Sequence, residues 1–305
     1  MSPLRARRFE ADVFHLVEPS SAHLARWALA GPTVISVHDL VVLRAARGDI
    51  PWSGKRWWIW RYRWGTRQLR HADALVCPSR TTQRDLRELC EVDPDRVHYV
   101  PLAVAERFRP LDWEERQRAR AALRRGRERV VMHVDTGGYY KNVPAILRTL
   151  ASLRRQGVEA ALVRVGVRMR HEDRALASDL GVLAHVRDLG VVGDEELVRI
   201  YNGADALLFP SYYEGFGWPP LEAMACGTPV VCSNAPALAE LVGDAAITAG
   251  PEDISALSAA LGEVLTKRGL AERQTRRGLS RASAFSLDRT LDGYERLYAR
   301  LAGGR

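Results

Sequence analysis

The sequence predicts an α/β protein in which parallel β-sheets are covered by helices. Short apolar runs alternate with helical stretches along most of the chain, a pattern typical of parallel sheets. The segment Ala-Asp-Ala-Leu-Val-Cys-Pro-Ser at 72–79 recurs as Ala-Asp-Ala-Leu-Leu-Phe-Pro-Ser at 204–211, as two similar halves would show. A length of 305 residues suits two domains of about 150 residues each. An apolar content of 47% excludes a disordered chain.

The apolar runs place the strands, and the stretches between them place the helices. Strands are predicted in the first half at 12–17, 33–37, 73–77 and 97–100, and in the second half at 130–134, 160–165, 205–209, 229–232 and 245–248. Helices are predicted at 81–90, begun by Ser79 or Thr81, at 142–156, 194–202 and 251–266, and from Phe285 to the end. The polar segment 105–128 is interpreted as the passage into the second domain and its opening.

Residues 209–233 carry most of the functional information. They predict a strand end, a glycine-bearing loop, a short helix and the next strand. Pro219 and Pro220 suit the start of that helix, and Gly227 suits its end. Because ligands of parallel sheets bind at the carboxyl ends of strands, the helix start is expected to offer bare N–H groups to a phosphate.

Two carboxylates and two glycines accompany this helix start. Glu214 lies in the loop and Glu222 is assigned to the first turn of the helix. Gly215 and Gly217 allow the backbone to approach a ligand closely. Acidic side chains beside an anion site indicate a ligand that carries both phosphate and hydroxyl groups. The alternative is a capped helix with solvated carboxylates.

This segment resembles the signature of retaining glycosyltransferases of family four, which have the GT-B fold and take a sugar from a nucleotide diphosphate donor. The family signature has two glutamates separated by seven residues, with Gly-Phe-Gly after the first, as at Glu214 and Glu222 here. The resemblance implies that Glu214 lies by the donor sugar and that Glu222 binds the ribose hydroxyls. It also implies that Gly215, Phe216 and Gly217 present backbone amides to the donor.

A second segment of the resemblance follows the strand at 130–134. The family pattern is a glycine, a few residues, and then Arg-Lys-Asn. Here Lys141 and Asn142 match, whereas Tyr140 replaces the arginine and Asp135 replaces the glycine. The resemblance implies that Lys141 neutralises the donor diphosphate. The arginine that often accompanies it early in this loop is not evident, since Thr136 follows Asp135. The alternative for Lys141 is a solvated residue at a helix start.

Two further segments match the family. His38-Asp39-Leu40 ends the strand at 33–37, and the resemblance implies that His38 reaches the donor sugar across the cleft. A histidine at a strand end is otherwise often a structural group. The segment 187–197 implies a nucleobase pocket near Leu189 and Gly190, mostly lined by backbone. Asp194 in that segment is also a reasonable helix cap.

The resemblance implies two Rossmann-like doubly wound domains that face each other across a cleft. The predicted bounds are 1–105 for an abbreviated acceptor-side domain and 106–284 for the donor-binding domain, with 285–305 as a helix that crosses back to the first domain. Family members usually open with a strand, a glycine-rich loop and further βα units before the first strand recognised here. Either the chain is a shortened form, or a partner supplies the missing sheet edge.

The sequence predicts neither a metal site nor a cofactor beyond the nucleotide sugar itself. The four cysteines lack a paired-ligand spacing and are interpreted as reduced core residues. Asp93-Pro94-Asp95 spells an acid-any-acid metal pattern, but a turn at Pro94 explains it adequately. We therefore expect Lys141 and the helix start to stabilise the leaving diphosphate without a cation, in the retaining transfer that the resemblance implies.

The net charge of +8 and pI near 9.6 admit anionic partners of several kinds. No motif typical of nucleic-acid binding is present. Residues 52–64 interleave five tryptophans with four basic residues, which fits a helix at an anionic membrane surface. The same segment would also fit a docking site for a lipid-linked or aromatic acceptor, or an amphipathic helix whose tryptophans pack on the core.

A cytoplasmic location, peripheral at the inner membrane face, is expected. There is no apolar run long enough to span a bilayer, and the charged segment 1–10 does not lead into a signal-like apolar stretch. The leading function is transfer of a sugar to a glycan, lipid or other acceptor. The alternatives are a non-catalytic or partner-dependent subunit that binds nucleotide sugars or membranes, and an epimerase or phosphorylase of the same plan.

Overall fold

The computed structural model describes residues 9–27, 29–52, 54 and 56–303. Most of the charged amino-terminal segment, and Ser53 and Lys55 of the tryptophan-rich segment, therefore lie outside the described residues. The chain packs into two compact units. The first contains the residues up to Ala103, together with Glu214–Phe216 and the residues from Phe285 onward; the second contains Val104–Tyr213 and Gly217–Ala284.

Ten strands and thirteen α-helices are formed by the described residues. The strands are β1 Phe14–Leu16, β2 Thr33–Ser36, β3 Ala74–Cys77, β4 Val97–Tyr99, β5 Arg129–Asp135, β6 Ala160–Gly166, β7 Val186–Asp188, β8 Ala206–Phe209, β9 Val230–Ser233 and β10 Ile247–Ala249. The helices are α1 His23–Trp27, α2 Val41–Arg47, α3 Arg56–Arg67, α4 Arg80–Leu89, α5 Trp113–Leu123, α6 Val143–Arg155, α7 His171–Asp179, α8 Asp194–Gly203, α9 Trp218–Ala225, α10 Pro236–Val242, α11 Ile254–Thr266, α12 Arg268–Ala282 and α13 Leu287–Ala302.

The first unit contains a four-stranded parallel sheet in the order β1-β2-β3-β4. Successive side chains of a strand point to opposite faces, and both faces of this sheet are covered. Ile35 and Leu75 pack in one core cluster with Leu86 of α4. On the opposite face, Val34 packs in a separate cluster with Leu297 of α13. The carboxy-terminal helix is thus part of the core of the first unit.

The second unit contains a six-stranded parallel sheet in the order β10-β9-β8-β5-β6-β7. Chain order runs outward in both directions from the central pair β5 and β8, so the topology reverses between them. Val131 and Leu208 pack on α6 and α11 through residues such as Ile146 and Leu261. In open α/β sheets, a ligand binds at the carboxyl ends of the strands where the order reverses. The loops after β5 and β8 are therefore the expected place for a site.

Two of the elements that the sequence analysis did not place, β7 and α5, lack a clear apolar pattern. Strand β7 is only three residues long and includes Arg187 and Asp188, so it lacks an apolar run. Helix α5 lies inside the polar segment 105–128, where Asp112 caps it by accepting a hydrogen bond from the Glu115 N–H at 2.8 Å. Its polarity reflects limited burial, since Ala119 and Leu123 are its only buried residues.

The predicted fold class, α/β with parallel sheets and helices on both faces, is confirmed. Among the described helices, none is both long and apolar enough to cross a membrane. All four cysteines are thiols outside any disulfide, and Cys77, Cys226 and Cys232 are buried.

Candidate functional site

The loops after β5 and β8 are fastened to each other at the topological switch point. The Tyr212 N–H donates to the Tyr140 carbonyl at 2.8 Å. The Asn142 side-chain amide donates to the carbonyls of Pro210 at 3.2 Å and Pro251 at 2.7 Å. Asn142 has a φ of 57°, a left-handed conformation that asparagine tolerates better than most residues. These bonds hold the residue after Lys141 in one geometry.

Lys141 is buried at this point, with 4% of its surface exposed. Its Nζ lies 4.8 Å from the ring centroid of Phe209 and 5.0 Å from that of Tyr140. An ammonium over two aromatic faces is stabilised by cation–π attraction. The alternative that Lys141 is a solvated residue at a helix start is therefore wrong.

A buried ion cluster ties together the ends of β5, β6 and β7 and the loops that follow β5 and β6. Arg164 of β6 donates to Asp135 at 2.6 Å and to Asp188 at 2.9 Å. Asp135 also accepts from the Gly137 N–H at 2.6 Å, and Asp188 accepts from the Met169 N–H at 2.8 Å. Each carboxylate thus joins the guanidinium to the loop that follows a strand. The cluster positions the strand ends at which the site is expected.

His133 of β5 adds a titratable group to this region but no charge at neutral pH. Burial, together with the positive charges of Arg164 and Lys141, lowers its pKa to about 4, while Asp135 acts in the opposite direction. Its Nδ1 lies 3.0 Å from the Leu208 carbonyl oxygen. A neutral ring therefore donates from Nδ1 to this carbonyl.

Glu222 is a partly desolvated carboxylate held by a buried tyrosine. The Tyr201 hydroxyl donates to Glu222 Oε2 at 2.7 Å, and Tyr201 packs edge-on against Phe108 at 5.7 Å. Burial raises the pKa of Glu222, while the Tyr201 hydrogen bond and Arg107 act to lower it. Since α9 begins at Trp218, the assignment of Glu222 to the first turn is wrong, and this carboxylate lies in the second turn.

The start of α9 differs from the expected row of bare N–H groups. Trp218 is its first residue, and Pro219 and Pro220 follow it. Proline has no backbone N–H, so Trp218 supplies the only amide of these three positions. Gly217 before the helix has a φ of 115°, and a Cβ there would lie 2.7 Å from a Leu238 methyl group. Backbone donors at this end of the sheet must therefore come mainly from the loop.

Leu189 and Gly190 lie in the loop after β7, beside the loop after β6. The Gly190 carbonyl accepts from the Gly166 N–H at 2.9 Å, and the Leu189 N–H donates to the Arg164 carbonyl at 2.9 Å. A Cβ at Gly190 would lie 2.9 Å from Arg168 Nε. The guanidinium of Arg168 donates to the Asp188 carbonyl. Arg168 therefore covers Gly190, a position that the sequence pattern did not suggest.

The remaining predicted site residues belong to the first unit. His38 is exposed, and its Nε2 lies 3.1 Å from the Val17 carbonyl oxygen. A Cβ added to Gly215 would overlap the His38 carbonyl oxygen, and the Thr82 hydroxyl donates to the Gly215 carbonyl at 3.2 Å. Glu214 is buried beside them. The structure thus brings His38, Glu214 and Gly215 together.

Two other residues of the first unit, Phe216 and His15, lie near His38, Glu214 and Gly215. Phe216 is buried and meets Phe285 edge-on at a centroid distance of 5.9 Å. His15 of β1 lies between the Ser36 hydroxyl at 2.9 Å and the Tyr298 hydroxyl at 2.6 Å. Burial lowers the pKa of His15, and the nearby His38 lowers it further. No motif in the sequence distinguishes His15.

The predicted residues therefore fall into two sets. Lys141, Leu189, Gly190, Gly217 and Glu222 belong to the second unit, whereas His38, Glu214, Gly215 and Phe216 belong to the first. Across the described ranges, no cluster of His, Cys, Asp and Glu side chains has the grouping needed to hold a metal ion. In the Asp93-Pro94-Asp95 turn, the Asp93 carboxylate caps the Asp95 N–H at 3.0 Å.

Comparison with models of known protein families shows which family this chain belongs to. Residues 115–281, more than half of the chain, match the model for glycosyl transferases group 1. The chain belongs to this family. Residues 2–108 match the model for Glycosyltransferase Family 4. Together the two matches cover most of both units of this group 1 glycosyltransferase.

Curated relatives include several sugar transferases. The MMP alpha-(1->4)-mannosyltransferase of Mycolicibacterium hassiacum is 30% identical over 98% of this chain and 74% of its own length. The O-antigen chain mannosyltransferase B of Escherichia coli is 46% identical, over 37% of this chain and 30% of its own length. A D-inositol 3-phosphate glycosyltransferase of Nocardia farcinica is 31% identical over 90% of this chain. This chain spans only 62% of that last relative.

Solved structures of low sequence identity share the fold. HepE from Anabaena, in a complex with UDP and glucose, has a TM-score of 0.83 at 16% identity and covers 97% of this chain and 79% of its own. Sucrose-phosphate synthase from Thermosynechococcus elongatus has a TM-score of 0.82 at 21% identity and covers 99% and 76%. The predicted GT-B fold is confirmed by these neighbours.

Proposed function

We propose that this protein transfers a sugar from a nucleotide diphosphate sugar to a glycan, lipid or other acceptor, with retention of the anomeric configuration. The observation that carries the proposal is the buried Lys141 ammonium at the topological switch point of the second unit. A positive charge fixed at the carboxyl ends of the strands, where open α/β sheets bind their ligands, supports a diphosphate as the ligand.

The donor roles follow from the chemistry of each residue. Lys141 neutralises the diphosphate, and the amides from Gly215 to Gly217 donate hydrogen bonds to the donor. Glu222 keeps Oε1 for the ribose hydroxyls, because Oε2 already accepts from Tyr201. The nucleobase lies against Leu189 and Gly190, whose backbone turns sharply at a φ of 77°.

The reaction exchanges one bond at the anomeric carbon for another. The bond from that carbon to the diphosphate oxygen breaks, and the acceptor hydroxyl forms the new bond on the same face of the sugar. The leaving phosphate takes the hydroxyl proton, so charges balance without a separate base. His38 and Glu214 orient sugar hydroxyls as positive charge develops on the ring. Lys141 stabilises the leaving group in place of a metal ion.

The acceptor is proposed to be a growing polysaccharide or a lipid-linked glycan, handled in the cytoplasm at the inner membrane face. The support is the 46% identity of one segment to an O-antigen chain mannosyltransferase.

The test begins with a thermal-shift panel of nucleoside diphosphates and their sugars, followed by transfer assays with the donors that bind. Lys141→Ala and Glu214→Ala should each abolish turnover of the donor while the circular dichroism spectrum stays unchanged. Lys267→Ala is the matched control, because that ammonium is exposed and pairs with Glu263 in the neighbouring turn at 2.6 Å. Full activity in either site variant would refute the assigned roles.

Two further readouts separate the competing functions. Nuclear magnetic resonance of the product reports whether the anomeric configuration is retained. Donor binding without hydrolysis or transfer would indicate a non-catalytic binding subunit, and conversion of the free nucleotide sugar to its epimer would indicate an epimerase.

A further inference from the structure

Helix α3 carries four tryptophans on its exposed surface. The exposed fractions are 52% for Trp57, 48% for Trp58, 74% for Trp60 and 47% for Trp64. The helix packs on the first unit mainly through other residues, and the Trp64 ring also lies 6.2 Å from that of His23. Thr66 is buried, and Tyr62 packs in the core with its hydroxyl donating to the Asp39 carbonyl at 3.0 Å. The alternative that the tryptophans of this segment form the core is therefore wrong.

Helical geometry places three of these tryptophans in one stripe. At about 100° per residue, Trp57, Trp60 and Trp64 fall within about 60° of each other around the helix axis. Arg61 and Arg67 flank this stripe on its two sides, by the same geometry. We call these five residues the α3 face. An apolar stripe with arginines along both edges is the arrangement of helices that lie in a membrane interface.

The charged side chains of helix α3 have one sign. The helix contains four arginines and no acidic residue. Two glutamates that line a pocket with Arg63 and Arg67 also contact arginines of other segments: Glu88 pairs with Arg44 at 2.7 Å and with Arg47 at 2.5 Å, and Glu91 lies 3.9 Å from Arg70. The α3 face is therefore cationic as well as aromatic, which complements an anionic surface.

We propose that the α3 face docks this protein on an anionic lipid bilayer. The indole rings of Trp57, Trp60 and Trp64 lie at the boundary between headgroups and acyl chains, where an apolar ring with a polar N–H is most stable. Arg61 and Arg67 contact lipid phosphates. A single-stranded nucleic acid fits less well, because Trp57 and Trp58 already stack on each other at 5.1 Å and Arg61 lies over the Trp58 ring.

The proposal does not depend on the proposed glycosyl transfer, because membrane docking is measured without substrate. The full-length protein is sedimented with vesicles of phosphatidylcholine alone and with vesicles that also contain phosphatidylglycerol. We expect binding to the anionic vesicles only, and weaker binding as salt is added. Removal of one arginine should weaken binding about fivefold, which corresponds to the attraction of one basic residue to an anionic surface.

The decisive variant is the triple change Trp57→Ala, Trp60→Ala and Trp64→Ala, which should abolish sedimentation. Because these side chains are exposed, the variant should keep its thermal unfolding midpoint and its turnover of donor with a water-soluble acceptor. Trp113→Ala is the matched control, since Trp113 is 75% exposed on a different helix, and it should sediment like the parent. The parent's tryptophan fluorescence should also be quenched by brominated lipid.

Three results would overturn the proposal. The first is a triple variant that sediments like the parent, and the second is a parent that binds neither vesicle or binds both equally. The third is release of the parent from anionic vesicles by a short single-stranded RNA at lower concentration than by salt alone, which would assign the α3 face to nucleic acid.

Discussion

Replacement of Glu222 by glutamine tests how a buried carboxylate serves the donor. In the parent, Oε2 accepts the Tyr201 hydroxyl at 2.7 Å, and the proposed contact with the ribose is made by Oε1. A glutamine has one acceptor oxygen and one NH₂ group. If the oxygen keeps the Tyr201 hydrogen bond, then the NH₂ group faces the ribose, where an acceptor is required. Glu222→Gln therefore loses a hydrogen bond to a charged group.

The expected magnitude follows from that single loss. A hydrogen bond to a charged group contributes about 1.5–3 kcal/mol, and about 1.4 kcal/mol corresponds to a factor of ten. We expect kcat/KM for the donor to fall roughly 10- to 150-fold. The assay pairs each enzyme with the normal donor and with a donor whose ribose lacks the contacted hydroxyl. The parent should lose activity on the deoxy donor, whereas Glu222→Gln should barely distinguish the two donors.

Glu222→Gln should lower activity, but it should raise stability relative to the parent as the pH increases. Burial raises the pKa of Glu222 in the folded state, so its effect on stability is most favourable below the ordinary carboxyl pKa. That advantage is lost as the pH rises through the raised value. Glu222→Gln has no such loss, so its unfolding midpoint should gain on that of the parent as pH increases through this window.

Tyr201→Phe provides the contrasting variant for the same contact. It leaves the buried carboxylate without this donor, which should cost about 1–3 kcal/mol of stability.

A Glu222→Gln enzyme that retains the parent's kcat/KM, or discriminates against the deoxy donor as strongly as the parent does, would refute the ribose assignment.

Three other outcomes are expected from the site. Gly215→Ala should abolish turnover and cost about 1–3 kcal/mol of stability, because the new methyl group would overlap the His38 carbonyl; parent-like turnover and melting would show that the loop can move away. Arg164→Met should lower the free energy of unfolding by about 3–5 kcal/mol in urea titrations, since Asp135 and Asp188 lose a shared partner; unchanged stability would contradict this role. A chelator such as EDTA should leave the rate of transfer unchanged. Loss of activity with EDTA, followed by recovery when a divalent ion is added, would show that the reaction requires a metal.

The sequence was sufficient to predict the strands and helices whose apolar patterns are strong. Strand β8 and helix α6 illustrate this, because 205–209 is apolar after its first residue and 142–156 repeats apolar residues at helical spacing. Strand β7 could not be predicted, because it contains Arg187 and Asp188. The burial of its neighbour Arg164 depends on a carboxylate from each adjacent strand, and pairing between strands cannot be deduced from local composition.

The site was predictable where a motif specifies residues and less so where packing decides their environment. The motif placed Glu222 on a helix, but the hydroxyl of Tyr201, from a different helix, determines which of its oxygens is available. In the tryptophan-rich segment, the composition allowed both a core helix and a surface helix. The distinction came from Tyr62 and Thr66, which occupy the inner face and leave the tryptophans outside.

Charge balance explains why Asp135 can stand where the family pattern has glycine. A lone carboxylate at the carboxyl end of β5 would repel a diphosphate. Here Asp135 and Asp188 share Arg164, which leaves one net negative charge in the cluster, and His133 is neutral because burial lowers its pKa to about 4. Arg164 of β6 therefore compensates the aspartate in this loop, and its two ion pairs hold the strand ends together.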